Sequence, residues 1–181
     1  MLKNSDQGYG WVSIAVHWLM AMVIFFMFGL GLYMVELTYY DAWYKGSLDL
    51  HKSLGIILIV LWLFRLAWRQ LNTKPKVLPG PKLEQIAARV GHQLLYVLML
   101  LLLLSGYFIS TADGRPISVF ELFEIPALPW SFDNQEDILG DIHFWLAWSL
   151  IGFVVVHMLA ALKHQFINKD GGLSRILKVS K

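Results

Sequence analysis

The sequence predicts an all-α integral membrane protein, a four-helix bundle, and three observations carry that prediction. Hydrophobic residues make up 57% of the 181 residues and charged residues only 15%, far from the mix of a soluble domain of this length. The apolar residues are gathered into four long runs almost free of charge, an arrangement that needs lipid around it. The segments between the runs alternate between basic and acidic, which is how a polytopic chain sets its orientation.

The first run goes from Trp11 to Val35, the second from about Leu48 to Trp68, the third from about Ile86 to Ile109 and the fourth from Ile142 to Leu162. As helices they cover roughly 30 to 37 Å, enough to cross the hydrocarbon core with some tilt. The first run is too long for a signal-peptide core and no small-residue cleavage pattern follows it, so it reads as a retained anchor. The Pro-containing stretch Lys74 to Lys82 reads as a short linker. Asp113-Gly114-Arg115-Pro116 reads as a turn leading into an interfacial segment around Ile117 to Trp130. Residues 1–181 are expected to form one domain, with no internal repeat.

Charge sets the orientation. Arg65 to Arg89 carries six basic residues (Arg65, Arg69, Lys74, Lys76, Lys82 and Arg89) against Glu84 alone, and the tail adds Lys163, Lys169, Arg175, Lys178 and Lys181. Glu36 to Asp49 has three acids and one lysine, and Ser110 to Asp141 has seven acids against Arg115. Positive segments stay inside. Both termini and the second loop are therefore expected in the cytoplasm, and the acidic first and third loops in the periplasm of a Gram-negative cell.

The chain has no cysteine, which excludes disulfides, thiolate-bound haem, cysteine-held iron-sulfur clusters and covalent c-type haem attachment. The six histidines, His17, His51, His92, His143, His157 and His164, all lie within or at the ends of the apolar runs, where such residues are costly and functional by default. His143 and His157 are fourteen residues apart on the fourth helix, so they share a face to within about 40° and lie roughly 21 Å apart. His51 opens the second helix from the same side as His143, and His17 sits at a depth matching that of His157. Two depth-matched imidazole pairs suit two haems, because haem iron accepts a histidine on each axial face. Saturated irons carry electrons and leave no position for oxygen activation.

His92 and His164 fall at cytoplasmic helix ends, where a surface role is expected; His164 shares the face of His157 and could approach a haem propionate, a quinone oxygen or a proton path. Arg65 follows His51 by fourteen residues and could pair with a propionate, although snorkelling to the headgroups would also explain it. Lys52 beside His51 is the comparable candidate on the periplasmic side. Trp11, Trp18, Trp43, Trp62, Trp68 and Trp130 lie near expected interfaces and read as belts. Gly29 with Gly31, and Ser105 with Gly106, read as places of close helix or haem approach.

Through His17-Trp18-Leu19, His51-Lys52-Ser53-Leu54-Gly55, Gly91-His92 with Leu95-Tyr96, and the span from His143 to His157, nearly the whole chain resembles the bacterial cytochrome b561 family. Ser105-Gly106-Tyr107, Ser110-Thr111-Ala112-Asp113-Gly114 and His143-Phe144-Trp145-Leu146-Ala147-Trp148 are similar to a branch often encoded with a periplasmic polyisoprenoid-binding protein. The resemblance implies an inner-membrane four-helix cytochrome with two b haems, one held by His17 and His157 and the other by His51 and His143, with quinone as redox partner. It also implies two finer possibilities, oxidation of superoxide with transfer to ubiquinone, or service as a membrane anchor for a dehydrogenase. Lys163-His164-Gln165 stands where many relatives carry a His-His pair.

Three functions are thus expected in descending order. The first is a di-haem oxidoreductase exchanging electrons between a membrane or periplasmic donor and quinone. The second is a haem-bearing anchor subunit whose acidic third loop docks a basic partner. The third is a histidine-rich metal-binding membrane protein, disfavoured because the apolar parts of the spans contain no Asp or Glu and there is no H-E-x-x-H pair. No nucleic-acid partner is expected.

Overall fold

A computed structural model describes residues 1–179. Four long helices follow one another: α1 (Trp11–Met34), α2 (Tyr44–Leu71), α3 (Lys82–Ser110) and α4 (Gln135–Lys163). Each is long and apolar enough to cross a membrane, yet at most 22% of the apolar window of any one is buried within the protein. Exposed apolar surface on that scale is stable only against hydrocarbon.

Three helices begin earlier in the sequence than hydropathy alone indicates. Polar residues extend α2 back to Tyr44, α3 to Lys82 and α4 to Gln135. Glu136 and Asp137 lie in the first turn of α4 and Glu84 in that of α3, where the unpaired amides favour negative charge. His51 is consequently the eighth residue of α2 and His143 the ninth of α4. Each therefore sits about two turns inside its helix.

The chain forms two compact units, one of Met1–Leu19, Trp62–Met99 and Ser149–Lys181, the other of Met20–Leu61 and Leu100–Trp148. In the first unit the amino-terminal segment is stitched to α1 and α2. Asn4 Oδ1 accepts from Gly10 N–H (3.0 Å) and Ser13 Oγ (2.7 Å), and Trp68 Nε1 donates to Ser13 Oγ (3.2 Å). Arg175 Nη1 donates to Lys76 O (2.6 Å), fixing the tail to the linker. Beyond α4 the helix widens into a π-turn at His164–Asn168, closed by Lys169 in the left-handed region, and α5 (Ser174–Leu177) follows.

The second unit contains the main departure from expectation. The segment read as interfacial after Pro116 holds an antiparallel hairpin, β1 (Ile117–Val119) with β2 (Phe123–Ile125), in the register Val119↔Phe123. Leu122 N–H donates to Val119 O (2.9 Å) across Phe120 (φ 51°) and Glu121 (φ 59°). Two successive left-handed residues make a tight turn of the hairpin type, at a cost of about 1–2 kcal/mol for each non-glycine residue. Burial and one hydroxyl hold it. Val119 is fully buried and Ile117 nearly so against Ile56 of α2, with Tyr107 and Ile125 alongside. Ser53, also buried on α2, accepts from Phe120 N–H at 3.0 Å.

Removing that hydroxyl leaves a turn amide without its acceptor. Ser53→Ala is therefore expected to lower stability by about 1–3 kcal/mol, while Glu121→Gly, which relieves one left-handed φ, raises it. Thermal unfolding in detergent measures both.

Candidate functional site

In the second unit the structure brings His51 and His143 face to face, with ring centroids 6.3 Å apart and planes at 72°. That spacing can be tested against the chemistry expected of the pair. A metal sits about 2 Å from a coordinating imidazole nitrogen, and each nitrogen lies about 1.1 Å from its ring centre, so two axial histidines place their centroids about 6 Å apart.

The surroundings of His143 fix its proton. Its Nδ1 lies 3.0 Å from Ser105 Oγ and 3.2 Å from Leu102 O, while Ser105 Oγ donates to the same carbonyl at 2.9 Å. A carbonyl only accepts, so Nδ1 carries the hydrogen and Nε2 keeps its lone pair for a metal. His51 Nδ1 is buried and has no partner among the described residues. An orphaned buried nitrogen of this kind signals a group that the chain does not itself supply.

Each ring is also backed by a glycine. A Cβ on Gly106 of α3 would stand 3.1 Å from His143 Cε1, and one on Gly31 of α1 would stand 3.5 Å from His51 Cε1. The close approach expected of Gly31 and of Ser105-Gly106 is thus an approach to the two histidines. Lys52, the expected propionate partner, pairs with Asp49 at 3.2 Å and is partly exposed.

In the first unit, His17 of α1 lies with Nδ1 2.8 Å from Arg65 Nη2 of α2. His157 of α4 and His92 of α3 are both within electrostatic reach of His17. The rings of His92 and His157 meet edge-on with centroids 5.2 Å apart. His92 Nδ1 is 2.6 Å from Ala88 O, one turn back on its own helix.

His92 therefore belongs to this cluster, which the sequence reading missed. It placed the start of α3 at about Ile86, so that His92 fell near a helix end. With α3 starting at Lys82 it is the eleventh residue. Arg65 and Arg69 lie over the Tyr96 ring, at 5.7 and 5.2 Å, and Trp62 packs beside Tyr96 with centroids 6.4 Å apart.

His164 lies in a second polar group of the same unit. Its Nδ1 bonds Asp170 Oδ2, and Glu84 of α3 accepts from Lys163 Nζ (2.6 Å) and Asn168 Nδ2 (2.9 Å). Partial burial by itself would raise the Asp170 carboxyl pKa, but the bonds from His164 and from Gly172 N–H hold it below the usual carboxylate range. Among the described residues no three His, Cys, Asp or Glu side chains gather as a metal site.

Paired histidines on membrane-spanning helices suit haem, and comparison with known proteins points the same way. Residues 8–178 match the family described as prokaryotic cytochrome b561. The chain is 47% identical over 175 residues to cytochrome b561 homolog 2 of Escherichia coli (strain K12), covering 96% of this chain and 93% of that protein. It is 30% identical over 176 residues to the probable superoxide oxidase CybB of Yersinia pestis, covering 93% and 95%. A match extending over nearly the whole length, on a chain whose four long apolar helices carry facing histidines, places it plainly: this protein belongs to the prokaryotic cytochrome b561 family, the haem b electron carriers of the bacterial inner membrane.

Proposed function

We propose that the chain is a di-haem b oxidoreductase that exchanges electrons with quinone, its termini in the cytoplasm. His51 and His143 hold one haem and His17 and His157 the other. Haem supplies one-electron redox chemistry when bound. The observation that carries the reading is the His51–His143 spacing of 6.3 Å together with the carbonyl-fixed proton of His143. Lys52 and Arg65 serve as propionate partners, Lys52 by leaving its exposed pair with Asp49. Quinone support comes from the family and not from a cavity.

One observation bears on the electron donor. By sequence the second unit holds ten acidic residues against three basic ones, a net charge of −7, and all ten acids are exposed. The first unit holds three against twelve, a net charge of +9. A field of that sign draws cations to the His51–His143 end and repels anions. The acidic loops therefore favour a cationic donor, such as a basic periplasmic redox or polyisoprenoid-binding protein, over free superoxide.

The test uses purified protein reconstituted in neutral lipid. Protein reduced in advance should be reoxidised by a short-chain ubiquinone analogue in a saturable reaction. Reduction of the oxidised protein by hexaammineruthenium(II) should slow as salt rises, and reduction by the anions dithionite or superoxide should quicken. Failure of quinone to reoxidise the protein would leave the anchor-subunit role as the better reading. A superoxide rate that is fast at low salt and falls as salt rises would restore superoxide as the donor.

A further inference from the structure

Arg65 occupies a nitrogen that His17 needs. A guanidinium only donates, so at 2.8 Å from Arg65 Nη2 the Nδ1 of His17 is the acceptor. A neutral imidazole has one donor and one acceptor nitrogen, which leaves the hydrogen of His17 on Nε2. Neither nitrogen then offers a lone pair to iron. His143 and His92 are in the opposite state, with Nδ1 against a backbone carbonyl and Nε2 available.

For His17 to become a ligand, its contact with Arg65 has to break. If iron takes Nε2, the proton leaves Nε2 and one is gained at Nδ1, with no net change, and two donors then face each other. If iron takes Nδ1, Arg65 is displaced directly. In either case a guanidinium on an apolar span loses its acceptor and needs another.

Among the described residues the first unit has no free carboxylate to give. Its three acids are engaged elsewhere: Asp6 with Lys76, Glu84 with Lys163 and Asn168, and Asp170 with His164. Among the described residues neither Arg65 nor Arg69 forms an ion pair, and both lie over the Tyr96 ring. One turn before Arg65 on α2, Trp62 is only 9% exposed and its indole Nε1 is buried without a partner. The Trp62 N–H thus lacks an acceptor, and Arg65, whose acceptor is His17 Nδ1, would lack one once that contact breaks.

The geometry points to an exchange: Arg65, seconded by the Trp62 N–H, leaves His17 for a carboxylate of the incoming haem, and that carboxylate is what releases His17 to ligate. Arg65 is then a positioning residue that couples recognition of the haem's carboxylates to the freeing of its axial ligand. This rests on the assignment of His17 and His157 as a ligand pair.

The experiment compares iron protoporphyrin IX with its dimethyl ester, which lacks both carboxylates. Each is titrated into haem-depleted membranes of the full chain in a His51→Ala background, which leaves one bis-imidazole site. The ester is expected to bind at least tenfold more weakly than the diacid. In Arg65→Gln that preference disappears, and the ester binds more tightly than it does to the parent because nothing holds His17 Nδ1. Trp62→Phe should reduce the preference by a smaller factor.

In the diacid-loaded Arg65→Gln protein the midpoint potential of this haem should also fall, since a nearby positive charge has gone. Equal binding of diacid and ester by the parent, or an unchanged preference in both variants, overturns the exchange. The ligand assignment fails separately, if His17→Ala and His157→Ala each keep full haem. Should Arg65→Gln not fold, as judged by loss of diacid binding altogether, Trp62→Phe and the parent's own ester preference still decide the matter.

Discussion

Replacing His51 or His143 with alanine is expected to take haem content from about two per chain to about one, and replacing His17 or His157 should remove the other. An exposed histidine can be lost at small cost, but a ligand lost from the His51–His143 pair has no substitute nearby. The His51–His143 pair stands at a centroid spacing of 6.3 Å, and the described residues offer no third metal-binding side chain to take over. Metal–ligand loss of this kind is expected to cost orders of magnitude in affinity. Haem quantified per chain beside reduced-minus-oxidised spectra measures it. Two low-spin signals in the parent and one in each variant is the result the di-haem reading requires, and full haem in the His51→Ala and His143→Ala proteins would refute it.

A second large effect is expected from a single methyl group. In Gly106→Ala the new Cβ would lie 3.1 Å from His143 Cε1 and 3.5 Å from its Nδ1. That ring is fastened on the same side by Ser105 Oγ and Leu102 O, so it can move away only by stretching the bonds that fix its proton. Alanine favours a helix by about 1 kcal/mol over glycine, so α3 itself should be no less stable. The substitution is thus predicted to shift the potential and the low-spin spectrum of the His51–His143 haem, or to halve haem content, while the other haem is unchanged. Gly152→Ala on α4 meets nothing within 4 Å and serves as the control, with both haems intact. Equal spectra in the two variants would mean that Gly106 does not set the position of His143.

The four spans were legible because apolar runs of membrane length have few alternative explanations. Their ends were not. Tyr44-Lys45-Gly46 and Gln135-Glu136-Asp137 are helical but polar, and hydropathy reports contact with lipid, whereas a helix continues as long as its backbone bonds do. That shortfall carried His92 to the wrong place relative to its helix end, and with it out of the cluster around His157. The hairpin was hidden for another reason. Ile117-Ser118-Val119 alternates as a strand should, but its turn is built from Phe120 and Glu121 where glycine or asparagine would have announced it. Gly31 and Gly106 were recognised as points of close approach, and what they approach turned out to be the two ring edges. The fourteen-residue spacing put Arg65 on the face of His51 and near the depth of the cytoplasmic pair, but its bond to His17 Nδ1 could not be read, since spacing along one helix does not say which side chain of another it meets.

The hydrogen bond from Phe120 N–H to Ser53 Oγ joins positions 67 residues apart. During synthesis α2 emerges long before the hairpin that docks on it, so the Ser53 hydroxyl waits without this partner until the loop after α3 has been made. His51, half a turn away on the same helix, waits likewise for His143, which is made later still. The order of chain emergence thus makes the His51–His143 end the last part of the second unit to mature. A chain truncated before Gln135 would insert three spans and have no opposing imidazole there at all.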